Sequence, residues 1–593
     1  MVPLSELLNC LIRQGKASGS SRKMSRSFGM IKPEPFAPNN SNSLKKILLF
    51  IFTLFCLNGF GQNLRLTMEA ENEKTKKTID SLSYKKDHEN AKSVIEEGNL
   101  VSDKLTRLGF IENEILEVKR PNDSTFQFNF NVGKKTDFIH IYISEQFSSY
   151  FDDKKDTLKL RFGETESFLN ETLAKLERKG FSLARLKLVN FKKDKNALFA
   201  ELSMETGNQR ALNDIVINGY DKFPEGHKKN IKRLYRNKTF NQENLKKVYD
   251  DFNKFRFVNQ TRYPEILFTK DTTKVYVYLE KSKPNKFDGF IGFSNDDEDK
   301  VNFNGYLDLL LVNSLNVGEE FTLYWKSDGN QQRTFNVGIE LPYIFKSPFG
   351  LKANLNIFKQ DSTFQNTKTA VDLGYYFNYN TRLYVGYQST ESSDIQNTNN
   401  SSISDFENSF VTSTFEFVDF KVDDFLFPEK TRISLKAGLG KRSSKLESNN
   451  QSFLDFNIKH NIYLNDKNSF NIKSQNFYLH SENYIINELY RFGGINSIRG
   501  FNENSLQGNL LTSVLTEYRY VLAPSIYVHS IIDYGYYQDK TSNNSDRLLG
   551  LGFGFGILTK NGLLNLVYAN GSTKEQTIKL SNSIIHISFK TTF

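Results

Sequence analysis

The feature that most constrains this chain is the alternation of its C-terminal half. From Phe287 onward, apolar and polar residues alternate in segments of roughly ten residues, separated by Asn, Ser, Asp and Gly turns. Val301–Val312, Thr334–Leu341, Phe453–Tyr463 and Ile526–Tyr537 are examples. A period of two places one set of side chains on each face of a strand. A mean hydropathy of -0.51 and a charged fraction of 25% exclude a polytopic helical membrane protein. They are compatible with a membrane barrel, whose strands are only half apolar. The 52 Phe and 28 Tyr suit strands and interfacial girdles. At about 19 residues per strand and connection, residues 285–593 hold about sixteen strands, an allowed even number. The expected fold is a set of α+β modules followed by a transmembrane antiparallel β-barrel of about 16 strands.

One stretch interrupts the alternation. Arg491–Phe501 reads RFGGINSIRGF, with Gly493 and Gly494 near its start and Arg499, Gly500 and Phe501 at its end. On the lipid face at mid-depth an arginine costs about 2–4 kcal/mol. Arg499 is therefore expected inside the barrel, against a carboxylate. Two acids follow at strand spacing. Glu517 shares a face with Leu515 and Arg519, opposite Tyr518 and Tyr520. Asp533 shares a face with His529 and Gly535, opposite Ile532 and Tyr534. Both point away from the aromatic, lipid-like face.

This trio, with the barrel-like segments around it, resembles the signature of the outer-membrane assembly and translocation superfamily of the BamA/TamA type. The resemblance implies that the loop between the eleventh and twelfth strands folds back into the barrel. Its tip, Arg499-Gly500-Phe501, would dock on Glu517 of the twelfth strand and on the Asp533-x-Gly535 motif of the thirteenth. The closing segment, in which Ile585, Ile587, Phe589, Thr591 and Phe593 alternate with polar residues, looks like a C-terminal insertion signal carried by Phe589 and Phe593. Phe425-Leu426-Phe427-Pro428 also resembles a family turn motif, without its usual glycine after the proline. The row Gly550, Gly552, Gly554 and Gly556 precedes no helix, so it is no phosphate loop. It is expected to let the loop tip or the barrel seam approach closely.

Before the barrel, three segments repeat a pattern of helix, aromatic stop and two strands. In the first, Val94, Val101, Leu105 and Leu108 fall on one helical face, and Gly109-Phe110 closes it. Strands are expected at 124–132 and 137–144, with no clear opening strand. In the second, Thr165 is placed to cap a helix carrying Leu169, Leu173 and Leu176, closed by Gly180-Phe181. In the third, a strand at Ile215–Ile217 precedes a helix from Asn241 carrying Leu245, Val248 and Phe252. The stops at Phe110, Phe181 and Phe257 lie 71 and 76 residues apart. Mixed α/β repeats of this size resemble POTRA domains, here at 62–148, 149–210 and 211–284, ahead of the barrel at 285–593.

Residues 1–61 read as a leader. Lys45-Lys46 precede an apolar run at 47–57, too short to span a bilayer, and small residues follow, as in a secretory signal peptide cut near Gly61. Met24 and Met30 offer alternative starts. Both cysteines, Cys10 and Cys56, fall in this leader, so the exported chain needs no disulfide. The leader also holds eight of the 78 basic residues and two of the 68 acidic ones. The remainder carries a net charge of +4 with no dense basic block, which argues against nucleic-acid binding.

With seven His, no paired-His spacing, no GxSxG and no Walker loop, the sequence offers no enzymatic chemistry and implies no cofactor or metal. The resemblance implies an outer-membrane insertase or translocase with its POTRA modules in the periplasm. Their edges would bind unfolded outer-membrane clients. The barrel would contact outer-membrane lipids, and a TamB-like periplasmic or inner-membrane-spanning partner would join it. The first and last strands would pair weakly, and the Arg499 loop would brace the wall opposite that seam. Three apparent modules lean towards the TamA-like branch. The alternative is a conducting channel of the two-partner-secretion type, serving one secreted protein.

Overall fold

The computed structural model describes residues 63–151, 156–295, 301–328, 332–397, 399, 402–421, 424, 426–445, 447–560 and 562–592. The expected leader, with its apolar run at 47–57, lies outside the described residues, as does Phe593. The chain divides into two compact units, 1–210 and 211–593.

The first unit holds two α/β sheets. In one, Leu64–Ala70 runs parallel to Thr125–Asn131, which pairs antiparallel with Glu114–Asn122. The opening strand absent from the sequence reading is therefore Leu64–Ala70. Its buried residues, Leu66 and Met68, are too few to advertise a period. The helix Ala91–Arg107 lays Val94, Val101 and Leu105 on the sheet. Leu108, expected on that face, follows the last helical turn and stays exposed. The chain turns at Gly109 (φ +101°), where the Phe110 N–H donates back to the Leu105 carbonyl (3.0 Å). In the second sheet Phe138–Tyr142 runs parallel to Ala197–Glu205. This strand, expected to finish the first module, thus opens the second. The helix Thr165–Arg178 is preceded by Glu164 rather than capped by Thr165, whose hydroxyl donates to the Phe162 carbonyl (2.7 Å).

The second unit begins with the same wiring. Asp214–Asn218 runs parallel to Thr273–Lys281, which pairs antiparallel with Val258–Phe268, and the helices Glu225–Tyr235 and Gln242–Asn253 cover the sheet. Asn241 caps the second helix, accepting from the Asn244 N–H (2.7 Å). The core of this module includes Phe223, Phe252, Phe257 and Val277, and it takes in Val312 from the barrel. At the junction His227 is fully buried. Its ring lies 4.9 Å from Tyr343, 5.3 Å from Phe255 and 5.5 Å from Tyr379. Burial, then the Arg382 guanidinium, push its pKa down to about 3. The imidazole is neutral at physiological pH.

The remainder is an antiparallel sheet of sixteen strands in sequence order among the described residues. They are Lys286–Asn295, Val301–Val312, Glu320–Asp328, Gln332–Leu341, Phe349–Gln360, Phe364–Tyr376, Thr381–Asp394, Phe406–Phe420, Glu429–Ser444, Ser448–Tyr463, Asn468–His480, Leu510–Ala523, Ile526–Asp539, Asn544–Leu558, Gly562–Ser572 and Ile584–Thr592. They are called strands 1 to 16 below. Outward residues such as Val411, Ile532, Phe553, Ile585 and Ile587 are exposed and apolar, while the lumen carries Asn, Gln, Thr and charged residues. Each interior ladder is long: strands 8 and 9 pair from Phe406–Ser444 to Phe420–Glu429. The seam differs. Strands 1 and 16 meet through only two pairs among the described residues, Lys286–Thr592 and Phe287–Thr591. Among the described residues one further bond joins them: the Phe589 N–H donates to the Asp288 carboxylate (3.4 Å).

Candidate functional site: a loop tip docked on the inner wall

The connection between strands 11 and 12 runs from Ser481 to Asn509 and lies inside the ring. A short ribbon, Tyr490–Phe492 paired with Leu506–Gly508, forms its neck. Gly493, Gly494 and Gly500 have φ of +104°, +94° and +88°, a region closed to most side chains. Space forbids substitution too. A Cβ on Gly493 would lie 2.6 Å from the Asn502 carbonyl oxygen. One on Gly500 would lie 2.3 Å from the backbone of Asn570 and Gly571 on strand 15.

Ile498, fully buried, packs with Phe492, Leu511, Leu515 and Leu548. A Cβ on Gly535 would sit 2.4 Å from its methyl, so the glycine of the Asp533-x-Gly535 motif makes room for this side chain. Phe501 joins the edge of the same cluster.

Arg499 is 5% exposed. Its Nε and one terminal nitrogen donate to the two oxygens of Asp533 (2.8 and 2.6 Å), and its backbone N–H donates to Asp533 as well (3.0 Å). The other terminal nitrogen is ion-paired with Glu517. Glu517 in turn accepts from Arg519 (2.8 Å from Nε), which also donates to Asn461 (3.0 Å) and lies 4.2 Å from the Phe427 ring. Two arginines and two carboxylates thus neutralise one another with matched hydrogen bonds, the condition under which buried charge is tolerated. Asp533 is fully buried, so no water satisfies it if Arg499 leaves.

Of the expected residues, the structure brings together Arg499, Gly500, Phe501, Glu517, Asp533 and Gly535, and Gly493 and Gly494 shape the turn leading to them. Within the Gly550–Gly556 row only Gly550 faces the tip: its Cβ would meet the Arg499 carbonyl oxygen at 2.3 Å. Gly554 and Gly556 make room instead for His529 and Tyr527. Phe589 lies on the outer face beside Ile585 and Ile587, apart from this site. Its named companion Phe593 is outside the described residues.

The sequence reading missed the loop's other anchors. Asn487 donates to Ser392 (2.7 Å) and Glu488 pairs with fully buried Arg442 (2.6 Å). Arg491 donates to Gln360 (3.2 Å). Glu503 is ion-paired with Lys326 of strand 3 and accepts from the Tyr324 hydroxyl (3.0 Å). The loop stem therefore contacts strands 5, 7 and 9, while the tip lies on strands 12 to 15 and Glu503 crosses to strand 3. Parity alone would have turned Tyr324 and Lys326 inward, opposite Trp325; nothing in the loop's own sequence marks Glu503.

Taken together, α/β modules leading into a sixteen-strand ring with an arginine-tipped loop docked inside it define an outer-membrane barrel preceded by POTRA-like modules. Residues 313–593 match the Omp85 superfamily domain. Among solved structures the chain is similar to BamA from Haemophilus ducreyi lacking POTRA domains 1-3, at 14% identity over 76% of this chain and 96% of that chain, with a TM-score of 0.43. It is also similar to CdiB from Escherichia coli (13%, 84% and 97%, 0.49) and CdiB from Acinetobacter baumannii (12%, 93% and 98%, 0.48). No curated protein matches the chain significantly.

Proposed function

We propose that this chain is an outer-membrane insertase or translocase for β-barrel or autotransporter-like clients. Its modules lie in the periplasm and gather unfolded chains along exposed strand edges, which pair with extended backbone at little sequence cost. The barrel delivers them at the seam. One contrast carries this reading: strands 12 and 13 are tied by a buried ionic dock, while among the described residues strands 1 and 16 share only two residue pairs. A pore needs no weak ladder, whereas a strand-templating wall needs an edge whose N–H and C=O groups can be offered to a newcomer. The apolar outer face contacts outer-membrane lipids, and a TamB-like spanning partner can bind the modules. No enzymatic step, cofactor or nucleic acid enters the cycle. Three apparent modules favour, by analogy, the TamA-like branch over the central assembly factor.

The test is depletion of the protein followed by an inventory of envelope proteins. Loss of several barrel or autotransporter-like proteins supports the proposal. Loss of a single secreted protein with other barrels intact, together with large steady conductance of the purified chain in planar bilayers, overturns it in favour of a two-partner-secretion pore.

A further inference from the structure

We infer that Glu503, with Lys326 and Tyr324, forms a clasp on the lumen side of the seam, positioning strand 3 against the docked tip so that the ring stays shut. The inference rests on the reading of the seam given above. The tip is fixed to strands 12 to 15: Arg499 is held by Glu517 and Asp533, its carbonyl lies against Gly550, and Gly500 lies against Asn570 and Gly571. Only three residues beyond Gly500, the Glu503 carboxylate pairs with Lys326 and takes the Tyr324 hydroxyl bond (3.0 Å), both on strand 3. The short way round the ring from strand 15 to strand 3 passes strand 16, the seam, and strands 1 and 2. The segment 500–503 therefore spans the place where the backbone ladder is weakest. His586 of strand 16 is within electrostatic reach of Lys326, Glu503 and Arg499.

The two ends of this strap differ in character. The side chains of Arg499 and Asp533 are 6% and 0% exposed, whereas Lys326 and Glu503 are 39% and 26% exposed. A buried, fully bonded pair persists because losing one partner strands the other. A wetted pair is weak and exchanges readily. The strap is thus anchored at Arg499 and releasable at Glu503, and opening proceeds by loss of the Glu503 contacts before the Phe287–Thr591 and Lys286–Thr592 pairs separate.

The experiment reads open-channel time of the full chain in planar bilayers. Glu503→Lys and Lys326→Glu, each of which places like charges together, are expected to raise open time about fivefold, and Glu503→Gln less. The double exchange Glu503→Lys/Lys326→Glu restores the parent value. A disulfide across the seam, Phe287→Cys with Thr591→Cys, returns the single variants to the parent value under oxidation and releases them under reductant. Parent-like open time in both single variants, failure of the exchange to restore it, or excess conductance that survives the oxidised seam each overturns the clasp. Folding is checked in the same samples by the heat-dependent gel mobility of the barrel, and Glu503→Gln supplies the comparison if a charge reversal does not fold. Client insertion into vesicles is measured separately. A clasp that behaves as described in a protein that inserts no client leaves the clasp standing and removes the proposed function.

Discussion

At the scale of single residues, Arg499 is the side chain whose chemistry admits least substitution. Its planar fork reaches both oxygens of Asp533 while a third nitrogen holds Glu517, and lysine cannot reproduce that geometry with one point charge. Arg499→Ala leaves Asp533 buried and charged without its partner, and is expected to cost about 3–5 kcal/mol. Arg499→Lys should recover only part of this. The temperature at which the folded barrel loses its compact mobility on detergent gels measures both, and a parent-like temperature for Arg499→Ala would contradict the docking energetics. Limited proteolysis of the unit before Ala211 should be unchanged in both variants, because that unit has its own cores. Glu517 shows why the dock is a network rather than a pair: its second oxygen engages Arg519, so loss of Arg499 leaves Glu517 with one cation while Asp533 keeps none.

At the scale of elements, the loop lies flat because glycines meet glycines. Gly500 lies on Gly571, and Gly550 leaves room for the Arg499 carbonyl oxygen. Gly571→Val keeps the loop's own backbone unstrained but places carbon where the Gly500 carbonyl lies, 2.4 Å from the first added atom. The tip should lift, and cleavage by protease between Gly494 and Ser505 should become faster by about tenfold or more, as expected for a displacement of at least about 1.4 kcal/mol. Unchanged cleavage would show that the tip is not held by this contact. The same elements show what a sequence makes legible. Strands 12, 13 and 16 have a strict period of two, and an arginine flanked by such strands has few tolerable places, so the dock could be read before any coordinates. Leu64–Ala70 and the helix Glu225–Tyr235 were not read. The first buries few residues, and the second mixes His227, Asn230 and four lysines and arginines with its buried Ile231 and Tyr235. The strand Phe138–Tyr142 was seen but joined to the wrong neighbour, because a period identifies a strand and not its partner. The Glu503–Lys326 contact joins residues 177 apart in sequence, and neither one alone announces the other.

At the scale of the whole second unit, one core runs from the third module into the barrel. His227 is its titratable member, neutral with a pKa near 3 against an ordinary 6.5, and it faces Arg382, Glu340, Tyr343 and Tyr379 from the barrel side. A depressed value means that the unfolded chain takes up a proton first as pH falls. The histidine's contribution is therefore whole above about pH 7 and declines by about 1.4 kcal/mol per unit from pH 6.5 down towards 3. Between pH 6.5 and 5 the parent should lose about 2 kcal/mol more than His227→Phe in denaturant unfolding of the 211–593 unit within the full chain. Parallel curves for the two proteins would remove His227 from the pH response. The shared core has a mechanical corollary. Because aromatic rings of the module are interlocked with the turn at Tyr343 and with Tyr379, no slack hinge separates the last module from the staves beneath it. A pull on that module would arrive as torque on the turns after strands 4 and 6, several staves away from the join between strands 1 and 16, which has little to resist it.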